Sequence, residues 1–234
     1  MINTKRSLSR EPLRSIGRIF DELDYQLLGE VYCHEGGEKF WQAKQRRCQR
    51  LGIKLAEVLK RRLRPAGRSL YVGAGVAELP ALIMETVDLQ RTVVACNLRN
   101  EEVQELNRAA KDLPLHFQHR DAAEVRGSFD HLWIVSVLND PECYPELSAL
   151  SYGRANPVTF DLAAFRKERR TVARLVDRCL KNLVRPGLVT ASTEEAVWIA
   201  EWCAQRQIYW KVERRTYQTA LVEDPICFIQ VGTH

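Results

Sequence analysis

Apolar residues return every three or four positions from Pro12 to Leu28, at Leu13, Ile16, Ile19, Phe20, Leu23, Leu27 and Leu28, a spacing that lines one side of a helix. Gly36 and Gly37 interrupt it. A second helical stretch is predicted from about Glu38 to Leu63, with Phe40, Trp41, Cys48, Leu51, Leu55, Val58, Leu59 and Leu63 as its inward stripe, ended by Pro65 and Gly67. Beyond it, short apolar runs alternate with helix-like segments, the rhythm of parallel strands joined by crossover helices. The expected strands are Arg68–Val72, Arg91–Cys96, Leu115–His119, His131–Leu138 and Leu188–Ser192. The expected helices are Glu78–Val87, Asn100–Lys111, Ala164–Leu183 and Glu194–Arg206. Two last runs, Tyr209–Thr219 and Ile226–Val231, have no helix between them and read as a terminal antiparallel hairpin. The pattern predicts an α/β fold: a helical extension over 1–64, then a domain over 65–234 whose mostly parallel sheet carries helices on both faces.

One connection is far longer than the usual few residues. From Asn139 to about Ala163 the chain carries Pro141, Pro145, Gly153 and Pro157, and it leaves the C-terminal end of the fourth strand, where open α/β sheets bind their ligands. The sharpest local signal is Tyr71-Val72-Gly73-Ala74-Gly75-Val76-Ala77-Glu78, set where the first strand gives way to a helix. Gly73 can take the positive φ of a tight turn, and Gly75 lets a ligand approach the backbone. Pro80 suits the first turn of the following helix. A dinucleotide site would place a third glycine at Glu78, whose charge would face a pyrophosphate, so NAD and FAD are disfavoured. A nucleoside without phosphate tolerates that carboxylate, and one bearing a sulfonium and an ammonium can use it.

Composition narrows the class only slightly. The 234 residues are 45% hydrophobic and 28% charged, ordinary for a chain folded throughout. The basic start has no apolar run after it, and no stretch reaches the roughly 20 apolar residues of a membrane helix, so a cytoplasmic protein is expected. The seven cysteines are scattered singly, without a Cys-x-x-Cys pair, and predict reduced, mostly buried thiols and no metal site. The net charge of +5 is too small to name a partner.

With the glycine turn in this context, the chain resembles the class I S-adenosylmethionine-dependent methyltransferases, over Arg68 to His234 and in the expected order. Tyr71–Ala77 is similar to the family's first motif, with Ala77 where a third glycine is commoner. Thr92–Arg99 is similar to the second strand, whose end normally carries an acidic residue that bonds both ribose hydroxyls; here Asn97 stands there. Arg120-Asp121-Ala122 resembles the third motif, which receives adenine, Phe129–Asn139 the fourth strand, and Leu183–Gly187 the turn before the fifth strand, with Leu188 in place of a second glycine. The resemblance implies a Rossmann-like fold of seven strands and S-adenosylmethionine as cofactor. It places that cofactor against Tyr71, Gly73, Ala74, Gly75, Glu78, Asn97, Leu98, Asp121, Ala122 and Ser136. It implies direct displacement at the methyl carbon, without a metal, with Asp140 and Asn139 at the acceptor as the catalytic residues, Asp140 taking a proton or orienting the attacking atom.

Simpler readings stand beside these. Asp121 also suits a turn after a strand, Glu78 a helix dipole, and Asp140-Pro141 an ordinary loop start. Tyr144, Tyr152 and Asn156 either cover the acceptor or fold the long loop onto itself. His116, His119 and His131 read as structural. The helix over 44–64 carries Lys44, Arg46, Arg47, Arg50, Lys54, Lys60, Arg61, Arg62 and Arg64 against Glu57, either as a solvated face or as contacts to nucleic acid. The acceptor is expected to be a small molecule, with nucleic acid through that helix as the other choice; a homo-oligomer is also compatible. The rival functions are a fold that has lost catalysis, a transferase moving another arm of the sulfonium, and a nicotinamide oxidoreductase.

Overall fold

The computed structural model describes residues 7–32, 37–221 and 224–232; Cys33 and Gly36 lie outside them. Residues divide into two compact units, one of Met1–Asp121 with Tyr217–Glu223 and the other of Ala122–Thr216 with Asp224–His234.

The first unit opens with α1 (Arg10–Glu22), α2 (Tyr25–Tyr32) and α3 (Gly37–Lys60). The periodicity predicts one helix over 12–28, and the structure has two. Asp24 divides them: its Oδ1 accepts the backbone N–H of Gln26 at 3.1 Å and Leu27 at 3.0 Å, which is N-capping of a new helix. Most of the apolar stripe holds, with Ile16, Ile19, Phe20, Leu23 and Leu28 buried, but Leu13 is exposed. Helices α2 and α3 meet through glycine, since a Cβ on Gly29 or Gly37 would collide with the backbone of the other. Farther along α3, a Cβ on Gly52 would lie 2.6 Å from Pro80 Cγ, so this helix seats directly on α4 (Leu79–Ile83).

The same unit carries β1 (Arg68–Val72), β2 (Thr92–Asn97), α5 (Asn100–Ala109) and β3 (Phe117–His119), with β1–β2 and β2–β3 both parallel. Where one helix is expected over 78–87, three short pieces follow each other: a 3-10 turn at Val76–Glu78, α4, and a π-helical turn at Met84–Asp88. The wider π turn carries Glu85, which is fully buried and bonded to Ser69 and Tyr71 of β1.

The second unit contains β4 (Phe129–Ile134), α6 (Pro145–Ser151), α7 (Leu162–Lys181), β5 (Leu183–Ser192), α8 (Ala196–Gln205), β6 (Trp210–Val212) and β7 (Ile226–Val231). Strands β4 and β5 are parallel, while β7 runs antiparallel to both β5 and β6. The seven strands follow the order β3-β2-β1-β4-β5-β7-β6, the expected mostly parallel sheet with a terminal antiparallel hairpin and helices around it. Strand β6 stops at Val212, short of the expected Thr219: the charged run Glu213-Arg214-Arg215 ends the alternation, and Tyr217–Glu223 belongs to the other unit. Strand β4 stops at Ile134, because Ser136 has φ 57° and cannot continue it. The long connection after β4 holds the helix α6, started by Pro145 in its first turn.

Candidate functional site

The C-terminal ends of β1, β2 and β3 are tied into one rim in the first unit. After β1 the chain turns at Gly73, with φ 69°, a conformation that glycine alone adopts without strain. Ala74 is fully buried and donates its N–H to the Cys96 carbonyl at 2.9 Å. Beyond β3, Arg120 N–H reaches the Asn97 carbonyl at 3.1 Å, and His119 Nε2 donates to the Leu98 carbonyl at 3.1 Å. Asn107 of α5 closes the open side of β3, donating to the Phe117 carbonyl and accepting its N–H. Glu78, only 8% exposed, folds back on the turn, and its Oε2 accepts the Gly75 N–H at 2.9 Å. Its role seen here is to set the glycine turn. Asp121 is half-buried just past β3, and the Leu98 side chain stands 62% exposed past β2.

Asn97 holds this rim with its whole amide. Nδ2 donates to the Ala74 carbonyl at 2.8 Å and to Glu102 Oε2 at 2.9 Å, and Oδ1 accepts the Arg99 N–H at 2.8 Å. A carboxylate could make neither donation, so the amide is tied to a partner that the sequence reading missed. Glu102 is fully buried on the first turn of α5, five places beyond Asn97. No motif marks it; its only signal is an acid one helical turn into a segment that follows a strand end.

Tyr71, expected at the cofactor, has its side chain in the core. Its hydroxyl donates to Glu85 Oε1 at 2.7 Å, and burial followed by the Glu85 carboxylate raises the phenol far above its ordinary value. Arg91 completes the cluster, with Nε 2.9 Å from Glu85 Oε2 and Nη1 2.6 Å from the Arg64 carbonyl, both ends of the ion pair fully buried. Removing either ion would strand the other in a dry site, a loss of about 3–5 kcal/mol. Tyr71 therefore offers a ligand only its backbone.

In the second unit the loop after β4 is shaped by one carboxylate. Glu195, fully buried, accepts the backbone N–H of Ser136 at 2.8 Å, Val137 at 2.6 Å and Leu138 at 2.6 Å, and the Ser192 hydroxyl at 2.9 Å. Burial raises its carboxyl above the ordinary value against the pull of those donors. Ser192 and Glu195 form a Ser-x-x-Glu pair in which the Glu195 N–H also reaches the Ser192 hydroxyl at 3.3 Å, so a capping signature was present in the sequence. Ser136, expected at the cofactor, keeps a buried hydroxyl with no partner among the described residues.

The two residues expected to be catalytic separate in role. Asn139 is 3% exposed and donates from Nδ2 to the Tyr152 hydroxyl at 2.9 Å, which in turn donates to Asp224 Oδ2 at 2.7 Å. Burial and then Asp224 raise the Tyr152 phenol above its ordinary value. Asp140 behaves as a turn residue, its Oδ1 accepting the Glu142 N–H at 2.8 Å and its carbonyl the Tyr144 N–H at 2.7 Å. Ala122, 4% exposed, opens a 3-10 turn. His131 is buried within β4, 2.9 Å from the Thr190 hydroxyl. No cluster of His, Cys, Asp and Glu among the described residues is placed to hold a metal, and no helix among them is long and apolar enough to cross a membrane.

No family model matches the chain, and no curated protein matches it in sequence. Solved structures match it in fold. Magnesium protoporphyrin IX methyltransferase (ChlM) from Synechocystis PCC 6803, solved with bound SAM, superposes with a TM-score of 0.53 at 13% identity, over 90% of this chain and 98% of that one. A methyltransferase from Pyrococcus furiosus gives 0.50 at 15% identity, over 78% and 83%. Trm5b from Pyrococcus abyssi gives 0.49 at 10% identity, over 78% of this chain, which spans about half of that one, 49%. The chain has the Rossmann-like fold of the class I methyltransferases.

Proposed function

We propose that the chain binds S-adenosylmethionine at the rim of β1, β2 and β3 and transfers its methyl group. The observation that carries this reading is the rim itself: a glycine turn with φ 69° at Gly73, pinned to β2 through Ala74 and Asn97, beside an apolar Leu98 left 62% exposed. The residues fit the group. Leu98 offers an apolar surface for an adenine ring, half-buried Asp121 an acceptor for its amino group, and the glycine turn an approach to backbone. The bound cofactor supplies an electrophilic methyl carbon on a sulfonium.

What falls to the protein is positioning. Gly73 and Gly75 shape the turn, Glu78 holds it by the Gly75 N–H, and Asn97 locks it to the neighbouring strand. In the second unit Glu195 fixes the backbone of 136–138, and Asn139, Tyr152 and Asp224 fix the loop that follows. In this reading an acceptor held in line with the methyl carbon supplies about 7–11 kcal/mol of barrier reduction. Asp140, engaged in its turn, serves the loop shape.

The test is calorimetric titration of S-adenosylhomocysteine and S-adenosylmethionine into the whole chain, with Asp121→Ala beside it. Saturable binding, weakened by the substitution, is the expected result. At about a hundred times the dissociation constant the ligand adds about 2.7 kcal/mol, which raises Tm by about 5–10 °C for a chain of this size. No binding at millimolar ligand would overturn the reading.

A further inference from the structure

We propose that the solvent face of α3 docks a nucleic-acid strand through its phosphates. The residues of α3 that stand exposed are Lys39, Gln42, Ala43, Arg46, Arg47, Arg50 and Lys54. All but two are cations. At 3.6 residues per turn the cations fall within about 100° of arc, and from Lys39 to Lys54 they span about 23 Å of helix. Of the acids on α3 whose side chains are described, only Glu57 is present, and it is half-buried. Arg61, also exposed, continues the charge past the helix end.

The structure sorts the basic residues of this region by use. Lys60 binds Asp88 at 2.7 Å and the Ser7 carbonyl at 3.0 Å; Arg62 donates to the Val58 carbonyl at 2.7 Å; Lys44 lies 4.6 Å over the Phe40 ring. These three hold the fold. Lys39, Arg46, Arg47, Arg50 and Lys54 make no hydrogen bond or ion pair among the described residues, and neither does Arg61. A fold gains nothing from a row of like charges along one helix face, whereas a polyanion does.

The chemistry selects the partner. Guanidinium groups offer paired donors that match phosphate oxygens, and a straight row suits a ligand with charge repeated along a line. A bilayer would need apolar side chains to insert, and none of the exposed large hydrophobic residues lies on α3. The proposal is independent of the methyl-transfer reading, which the cofactor titration tests without nucleic acid.

The experiment is fluorescence anisotropy with a labelled single-stranded RNA of about 20 nucleotides, in salt from about 50 to 200 mM. Four to five phosphate contacts predict a slope of log K against log salt of about −3, a weakening of about 60-fold over that range. R46Q/R47Q/R50Q/K54Q should lose at least about 30-fold at the lower salt and flatten the slope, with Tm unchanged, since these side chains make no hydrogen bond or ion pair among the described residues. The single changes R47Q and K54Q should each reduce the slope by about 0.7, which keeps the test open if the fourfold variant misfolds. Binding that is absent, insensitive to salt or kept by the variants would overturn the proposal. So would equal affinity for phosphatidylserine vesicles or for polyglutamate, which would make the face a membrane or acidic-protein contact.

Discussion

An aspartate in place of Asn97 would set the carboxylate oxygen that replaces Nδ2 against both the Ala74 carbonyl and Glu102, where the amide now donates to both. Two buried donations become two repulsions. Asn97→Asp should therefore destabilise the chain by about 2–4 kcal/mol, lowering Tm by about 5–15 °C in a thermal melt. Adding Glu102→Gln returns a donor between the two positions, so the double variant should recover part of that loss; additive losses in the two variants would refute the coupling. This pairing also marks the limit of reading residues from sequence. The glycine turn and the strand end at Asn97 were legible as places in the fold, because a strand end followed by a turn has a local signature. Glu102 was not, because only the fold brings α5 under the end of β2. Glu195 lies between these cases: its Ser-x-x-Glu capping pair with Ser192 is written locally, while its reach to residues 136–138 is set by the packing of distant segments.

Among the elements, Asp88 is the fastening of the N-terminal helices. Its Oδ2 accepts the Ser9 N–H just before α1 at 3.2 Å and the Lys60 ammonium at the end of α3 at 2.7 Å. Burial acts to raise the Asp88 carboxyl, and Lys60 and Ser9 outweigh it, holding it below the ordinary 3.8. A carboxylate with a lowered folded value contributes stability above its unfolded value and loses it as pH falls through the folded one. Melts of the wild type and Asp88→Asn should thus differ at pH 7, keep most of that difference down to about pH 4, and converge below it. A gap that persists in acid would show that the charge is not its cause. The helices themselves were readable from their apolar spacing, and the errors have physical origins. Asp24 splits the first helix by capping the next, and the buried Glu85 sits on a π turn that breaks up a segment whose apolar pattern alone runs unbroken.

For the whole molecule, the alternation of short apolar runs with helical segments gave the strands in their right sequence, and the missing helix before β7 gave the terminal hairpin. The division into two compact units was not legible, since Tyr217–Glu223 groups with residues far from it in sequence. Cysteine placement did follow from composition. Cys48, Cys96, Cys179, Cys203 and Cys227 are buried and Cys143 is exposed; burial pushes Cys48 up to about 12 and Cys96, Cys203 and Cys227 up to about 11. Since the thiolate is the reactive form, brief iodoacetamide treatment of the native chain should label Cys143 and spare those five until denaturant is added. Peptide mass spectrometry reads this directly, and labelling of the buried group at the rate of Cys143 would contradict the packing.

The grip of Glu195 on three successive amides has a consequence for conformational entropy. Fixing the backbone of one residue costs about 1–2 kcal/mol, so a ligand that had to order Ser136, Val137 and Leu138 on arrival would surrender about 3–6 kcal/mol of its binding energy. Here those residues are held by a buried carboxylate within the chain, so the ordering cost belongs to folding stability.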